Sequence, residues 1–205
     1  MLIKCLIVGR LETNCYVVTN EKTLQCVVID PGDEANTIMD YVESNSLKVC
    51  DIFLTHGHFD HTMASYAVSH ETGAPVWINK KDCVTDGQKD LYKYFPTDAT
   101  KFYSDGDEIV SAGLTFRVME TPGHSQGSVM LFCEDAIFSG DTIFRMSVGR
   151  TDLPGGNMDE LMKSLKKIGS TVTADYEIYP GHMDATTVEN ERRFNEYLRY
   201  AGGIE

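Results

Sequence analysis

An α/β fold in which two β-sheets carry helices on their outer faces is predicted by three features of this sequence. Short β-rich runs alternate with helix-patterned segments, and that succession occurs twice along the chain. The 205 residues suffice for one domain with a sizeable core, so residues 1–205 read as a single unit. Hydrophobic residues make up 42%, ordinary for a globular protein, and no linker, low-complexity tract or repeat of fixed period divides them.

The first half opens with β-rich runs at residues 2–8, 15–19 and 25–29, separated by turn residues. Residues 33–44 place Ile38, Met39 and Val42 on one face at helical spacing, predicting a helix. A buried strand is expected at 49–54 and a helix at 61–71, ended by Thr72-Gly73. Further strands are expected at 76–78, 114–120, 128–132, 136–138 and 176–179. A helix is expected over 158–168, and a closing one over 187–200 with Phe194 and Leu198 turned inward. Residues 86–100, with Tyr92, Tyr94 and Phe95 beside Pro96, have no clean period. They read either as a loop or short helix overhanging a site, or as an aromatic cluster packed on the sandwich.

Charge narrows the partners. A formal net charge of -13 argues against nucleic acid, whose phosphates call for a basic surface, and against an anionic membrane. Residues 1–8 are too short for a secretory signal and lack its cleavage flank, and no apolar run approaches the roughly 20 residues of a spanning helix. The six cysteines show no C-x-x-C pairing, and Cys15, Cys26, Cys50 and Cys133 lie in apolar runs as small hydrophobes. A cytoplasmic protein with reduced thiols and a small-molecule substrate is expected.

The chemistry concentrates in "HGHFDH". His56, His58, Asp60 and His61 fall within six residues directly after an apolar strand, in a chain with six histidines. While the backbone stays extended, residues two apart point the same way, so His56 and His58 can grip one metal. Asp60 and His61 follow the turn into a helix and face a neighbouring point, as two cations sharing a bridging oxygen require. Three more groups stand at strand exits: His124 and His182 in Pro-Gly turns, and Asp141 after a Gly. Five imidazoles and two carboxylates suit two zinc-type ions and do not suit a calcium or magnesium cage; iron and manganese also accept them. His70, near a helix C-terminus that favours a cation, reads as structural.

Together "HGHFDH", "TPGHSQGS", "SGDTIF" and "YPGHM", with "TNCYVV" and "VVIDPG" before them, resemble the metallo-β-lactamase superfamily over nearly the whole chain. "GDTIFRMSVGRTDLPGG" looks like the short single-domain glyoxalase II-like hydrolases. The resemblance implies a four-layer αβ/βα sandwich. It also implies one metal on His56, His58 and His124, a second on Asp60, His61 and His182, and Asp141 bridging both. Hydroxide held between the metals would then attack a thioester such as S-lactoylglutathione, and Asp60 would aim it, the catalytic role. Full-length glyoxalase II enzymes add a helical domain that helps hold glutathione, and here about 23 residues follow His182. Their Gly-Lys and aromatic pair reads Gly149-Arg150-Thr151-Asp152. Arg150 either meets a substrate carboxylate or pairs with Asp152; Tyr92 and Phe95 are the other substrate-binding candidates.

The nearest rival is a sulfur dioxygenase, similar in the same motifs, which holds one iron by two histidines and a carboxylate and oxidises a persulfide. A true β-lactamase lacks the bridging aspartate, and an RNA-processing nuclease of the superfamily would want a basic arm. A non-catalytic, metal-stabilised binding module calls for a degenerate ligand set, and none of the seven positions is degenerate.

Overall fold

The computed structural model describes residues 1–83 and 91–202, so residues 86–90 of the aromatic segment lie outside the description. The first six-stranded sheet runs in chain order: β1 (Leu2–Val8), β2 (Thr13–Asn20), β3 (Gln25–Ile29), β4 (Lys48–Phe53), β5 (Val76–Ile78) and β6 (Thr100–Phe102). β1 to β3 form antiparallel hairpins. From β3 to β6 the pairing is parallel. The first two of these crossovers are helical: α1 (Ala35–Ser44), then α2 (Phe59–Thr62) with α3 (Ser65–Thr72).

The second sheet begins with the meander β7 (Glu108–Ser111), β8 (Leu114–Glu120), β9 (Val129–Cys133) and β10 (Ala136–Gly140). A two-stranded ribbon follows, β11 (Ile143–Phe144) and β12 (Ser147–Val148). Then α4 (Met158–Thr171) crosses to β13 (Glu177–Pro180), which pairs parallel to β10, and β14 (Thr186–Thr187) closes that edge. The chain ends in α5 (Val188–Phe194) and α6 (Glu196–Ala201).

Period-two alternation sorts the side chains into three apolar layers. Tyr16 and Val18 of β2, Val27 and Ile29 of β3, and Phe53 of β4 meet Phe116, Leu131 and Phe138 of the second sheet between the sheets. The opposite faces of the same strands, through Cys15, Val17, Cys26 and Val28, pack on Ile38, Val42 and Val68 of α1 and α3. Beyond the second sheet, Met130, Phe132 and Ile137 pack on Leu161, Leu165 and Leu198. Both sheets are therefore buried on both faces, which is why β2, β3, β9 and β10 read as nearly continuous apolar runs. The result is a four-layer αβ/βα sandwich.

Several boundaries differ from the sequence reading, each for a local reason. The expected helix over 61–71 is two helices, because the Ala64 amide leaves the helical ladder to donate to the Pro31 carbonyl at 3.0 Å. Helix α1 starts at Ala35 because Glu34 sits in the left-handed region at φ 51. The closing helix breaks at Asn195, whose carboxamide caps α6 through Tyr197 and Leu198 while its NH₂ reaches Ser147 and Glu191. That break turns Phe194 outward, 50% exposed, and leaves Leu198 buried. Cys15, Cys26 and Cys133 are buried as expected, while Cys50 is only half-buried.

Candidate metal centre

Strand exits of both sheets converge at one end of the sandwich. β4 delivers Thr55 to His58 into α2, β8 delivers His124, β10 delivers Asp141, and β13 delivers His182. Donor atoms of His56, His58 and His124 lie within 4.8 Å of one another, as do those of Asp60, His61 and His182. Asp141 stands between the two trios. Its Oδ2 is 3.4 Å from His124 Nε2 and 3.6 Å from His182 Nε2, and its Oδ1 is 3.5 Å from His61 Nε2.

The hydrogen bonds around the rings decide which nitrogen faces inward. His61 Nδ1 donates to Asp30 Oδ2 at 3.0 Å, His124 Nδ1 to the Arg150 carbonyl at 2.8 Å, and His182 Nδ1 to the Leu11 carbonyl at 3.1 Å. His56 Nδ1 lies 3.1 Å from the Thr55 hydroxyl, whose own proton goes to Asp30 at 2.6 Å. Each of these four imidazoles thus spends its Nδ1 proton on a neighbour and turns its Nε2 toward the centre. Orienting histidine ligands in this way is typical of metal sites.

The inward atoms are poorly matched to one another. His124 Nε2 and His58 Nδ1 are 2.9 Å apart, and His61 Nε2 and His182 Nε2 are 3.3 Å apart. His56 Nε2 and Asp141 Oδ1 are buried with no partner. Lone pairs that crowd together and go unpaired in a buried space fit cations and little else. The histidine and aspartate clusters suit a binuclear metal site.

Ionisation follows the surroundings. Burial, then the neighbouring His61 and His58, holds His56 well below the usual histidine range. The same burial, helped by His124 and His61, lowers His58 to about 3. Burial would lower His61 too, but Asp141, Asp30 and Asp60 outweigh it and raise the group to about 9. Burial works against the charge of Asp60, yet His182 and His61 keep its carboxyl below the usual carboxylate range.

Two buried carboxylates that the sequence reading left without a role hold this arrangement. Asp30, a donor of which also lies within 4.8 Å of those of His56 and His61, accepts from the Thr55 amide at 2.7 Å and the Thr55 hydroxyl at 2.6 Å, besides His61, so its oxygens are engaged in orienting the site. Asp82, in the 3-10 turn Lys80–Asp82, accepts from Gly57 N at 2.9 Å, Gly127 N at 2.6 Å and Ser125 Oγ at 2.5 Å. It thereby ties the loop of His56 and His58 to the loop of His124. A Cβ on Gly57 would stand 2.1 Å from the Asp82 carbonyl, so this approach requires glycine. On the other side, Asn14 Nδ2 donates to the carbonyls of Pro180 and Met183, at 2.9 and 2.8 Å, and fixes the turn that bears His182.

The trios open on a cleft of about 510 Å³ whose walls include Leu11, Phe59, Leu91, Phe144, Arg150 and Met183. Arg150 points its guanidinium at Asp152, with Nε and Nη2 at 2.7 and 2.8 Å from the carboxylate, and its backbone carbonyl serves His124. Tyr92 does not overhang the cleft as a lid. It is 1% exposed, its ring edge packs on His58 at 4.9 Å, and its hydroxyl donates to the Pro154 carbonyl at 3.3 Å. A β-bridge from Tyr92 to His58 and a bond from Phe59 N to Leu91 O make this segment a splint for the ligand loop. Phe95 is 49% exposed, its amide held by the Tyr66 hydroxyl, and is not among the described residues lining the cleft. His70 is exposed in the last turn of α3.

Comparison with known proteins agrees with this geometry. An Aquifex aeolicus protein is 36% identical over 96% of this chain and 97% of its own length. The Haemophilus influenzae hydroxyacylglutathione hydrolase GloC is 28% identical over 97% of this chain and 98% of its own. Among solved structures, ETHE1 from Myxococcus xanthus superposes with a TM-score of 0.84 at 30% identity, over 98% of this chain and 85% of that one. TTHA1623, solved in a di-iron-bound form, gives 0.81 at 32%, over 95% and 99%. Residues 8–182 match the family model of the metallo-β-lactamase superfamily, and the chain belongs to that superfamily.

Proposed function

We propose that this protein is a binuclear metal-dependent hydrolase that cleaves a thioester. His56, His58 and His124 would hold one divalent cation, Asp60, His61 and His182 a second, and Asp141 would join them; zinc suits the donors best, and iron suits them too. The observation that carries the reading is the pair of donor trios meeting at Asp141 on the floor of one cleft.

Such cations supply Lewis acidity and acidify water when bound. The chain supplies the rest. Asp60 Oδ2, 3.3 Å from His182 Nε2 and accepting from Thr13 Oγ1 at 3.4 Å, is held ionised where it can accept a hydrogen bond from the attacking water and aim it. The apolar walls limit bulk water around the scissile carbonyl. Attack would form the acyl C–O bond and break C–S, the proton of the attacking water passing by way of Asp60 to solvent, and the departing thiolate is stable enough to need no general acid.

S-lactoylglutathione is the first substrate to try, with thiol release as the readout from metal-loaded protein. GloC, a hydroxyacylglutathione hydrolase by name, supports that choice. The second reading, a mononuclear-iron persulfide dioxygenase, is favoured by the likeness to ETHE1. Metal-loaded protein that releases no thiol from any thioester, yet consumes oxygen when given a persulfide, would sink the hydrolase and establish the rival.

A further inference from the structure

We infer that the thiol half of the substrate is an uncharged, largely apolar carrier and not a peptide thiol bearing two carboxylates. The inference rests on the thioester reading above, concerns what flanks the reacting bond, and ranks S-lactoylglutathione below thioesters of neutral thiols.

Leu11, Phe59, Leu91, Phe144, Leu153 and Met183 line the cleft, and Arg150 is the one cation among its described lining residues outside the histidines. That cation is cancelled in place. Both of its donors lie on the carboxylate of Asp152, two residues on, so an incoming carboxylate meets a pair of zero net charge. Of the arginines nearby, Arg145 faces Asp184 at 3.5 Å, and Arg10 lines an adjoining recess of about 100 Å³ whose wall also carries Asp33 and Asp60. Around these pairs the chain carries a net charge of -13, whose field opposes the approach of anions.

The rim points the same way. Leu11 and Met183 stand 54% and 63% exposed at the cleft, beside the turn that bears His182. Large apolar side chains held in water at the edge of a site gain by being covered, and an apolar arm of the ligand would cover them. A carrier with two carboxylates would instead lose hydration there with no unpaired cation among the described lining residues to replace it.

The test compares two thioethers that share one arm and cannot be hydrolysed: S-hexyl-N-acetylcysteamine, which is neutral, and S-hexylglutathione. Titration calorimetry on the metal-loaded protein should show the neutral probe binding on the order of 10-fold tighter or more. Leu11→Ala combined with Met183→Ala should weaken the neutral probe by several-fold. Asp152→Asn, at an exposed position, frees Arg150 and should strengthen S-hexylglutathione by about 3- to 10-fold while leaving the neutral probe within about 2-fold. Equal or tighter binding of S-hexylglutathione to the wild-type protein would overturn the inference, as would a neutral probe indifferent to the rim variants. Binding is read without turnover, so a failed reaction is distinguishable. Preference for the neutral thioether with no thiol released from any thioester tested would uphold an uncharged, apolar ligand arm at this cleft and refute the hydrolase.

Discussion

The two donor trios use the same kind of side chain in opposite surroundings. His56, His58 and His124 are buried and contain no carboxylate among them, and burial together with mutual repulsion keeps His56 and His58 unprotonated. His61 stands among Asp141, Asp30 and Asp60, and His182 beside Asp60 and Asp141, and these carboxylates raise the two imidazoles against the effect of burial. His56 and His58 of the first trio offer neutral donors that are ready for a cation. The second holds protons that a cation must displace. Metal uptake at the second trio should therefore depend more steeply on pH, and the first should fill at lower pH.

The largest expected effect comes from removing what the trios share. Asp141→Ala should lower thioester kcat by about 10³-fold or more and bring metal content below two equivalents by elemental analysis, whichever trio is the stronger. Next, Asp60→Asn keeps the volume and loses the acceptor, so it should cost about 10²-fold in kcat with most of the metal retained. A proportional loss of metal and rate would show Asp60 to be a ligand alone.

The trios then separate by single deletions. His182→Ala should remove mainly the second metal and His58→Ala mainly the first, leaving about one equivalent in each case, as mass spectrometry under native conditions would show. Matching losses from both variants would mean that the sites fill as a unit.

Chelated protein should show the contrast in its urea midpoint. Folded His58 titrates near 3 against 6.5 for the free side chain, so the unfolded chain takes up the proton first and stability falls as pH drops from 6.5 towards 3. His61 is raised to about 9, so its contribution is complete below 6.5 and is lost as pH climbs through 9. His61→Gln should flatten the alkaline limb and leave the acid limb in place. The smallest effects belong to the aromatic segment. Tyr92→Phe removes one hydrogen bond, worth about 1 kcal/mol, and Phe95→Ala should stay within about 0.5 kcal/mol with unchanged KM.

What could be read in advance was whatever repeats a local rule. Strand exits are legible because an apolar run ending in a turn residue marks them, and His56, His124, Asp141 and His182 all stand at such places. Asp30 stands at one too, before Pro31-Gly32, but its role as acceptor for His61 depends on where α2 lands. Asp82 carries no signal, since nothing in "NKKDC" distinguishes a buried clamp from a surface turn. The Leu11 and Arg150 carbonyls that orient His182 and His124 are equally silent, because every residue has a carbonyl. The strands β6, β7, β11, β12 and β14 carry no such signal, because these segments of two to four residues lack the uninterrupted apolar run that marks the equally short β5.

The distribution of donors along the chain gives the site a history. Residues 56–61 leave the ribosome with the first sheet, His124 and Asp141 follow with the second, and His182 comes after α4 has crossed back to β13. The first trio is complete only when both sheets are present, so a cation captured there staples the N-terminal half to the C-terminal half. Apolar contacts such as Phe53–Phe116 and Tyr16–Phe138 join the same layers away from the site. The second trio is the last to close. A chain made where metal is scarce would dock its sheets through apolar contacts and the Asp82 and Asn14 hydrogen bonds, and leave five imidazoles and two carboxylates crowded at the open end. That end is where such a chain would fray first and where a protease would find it.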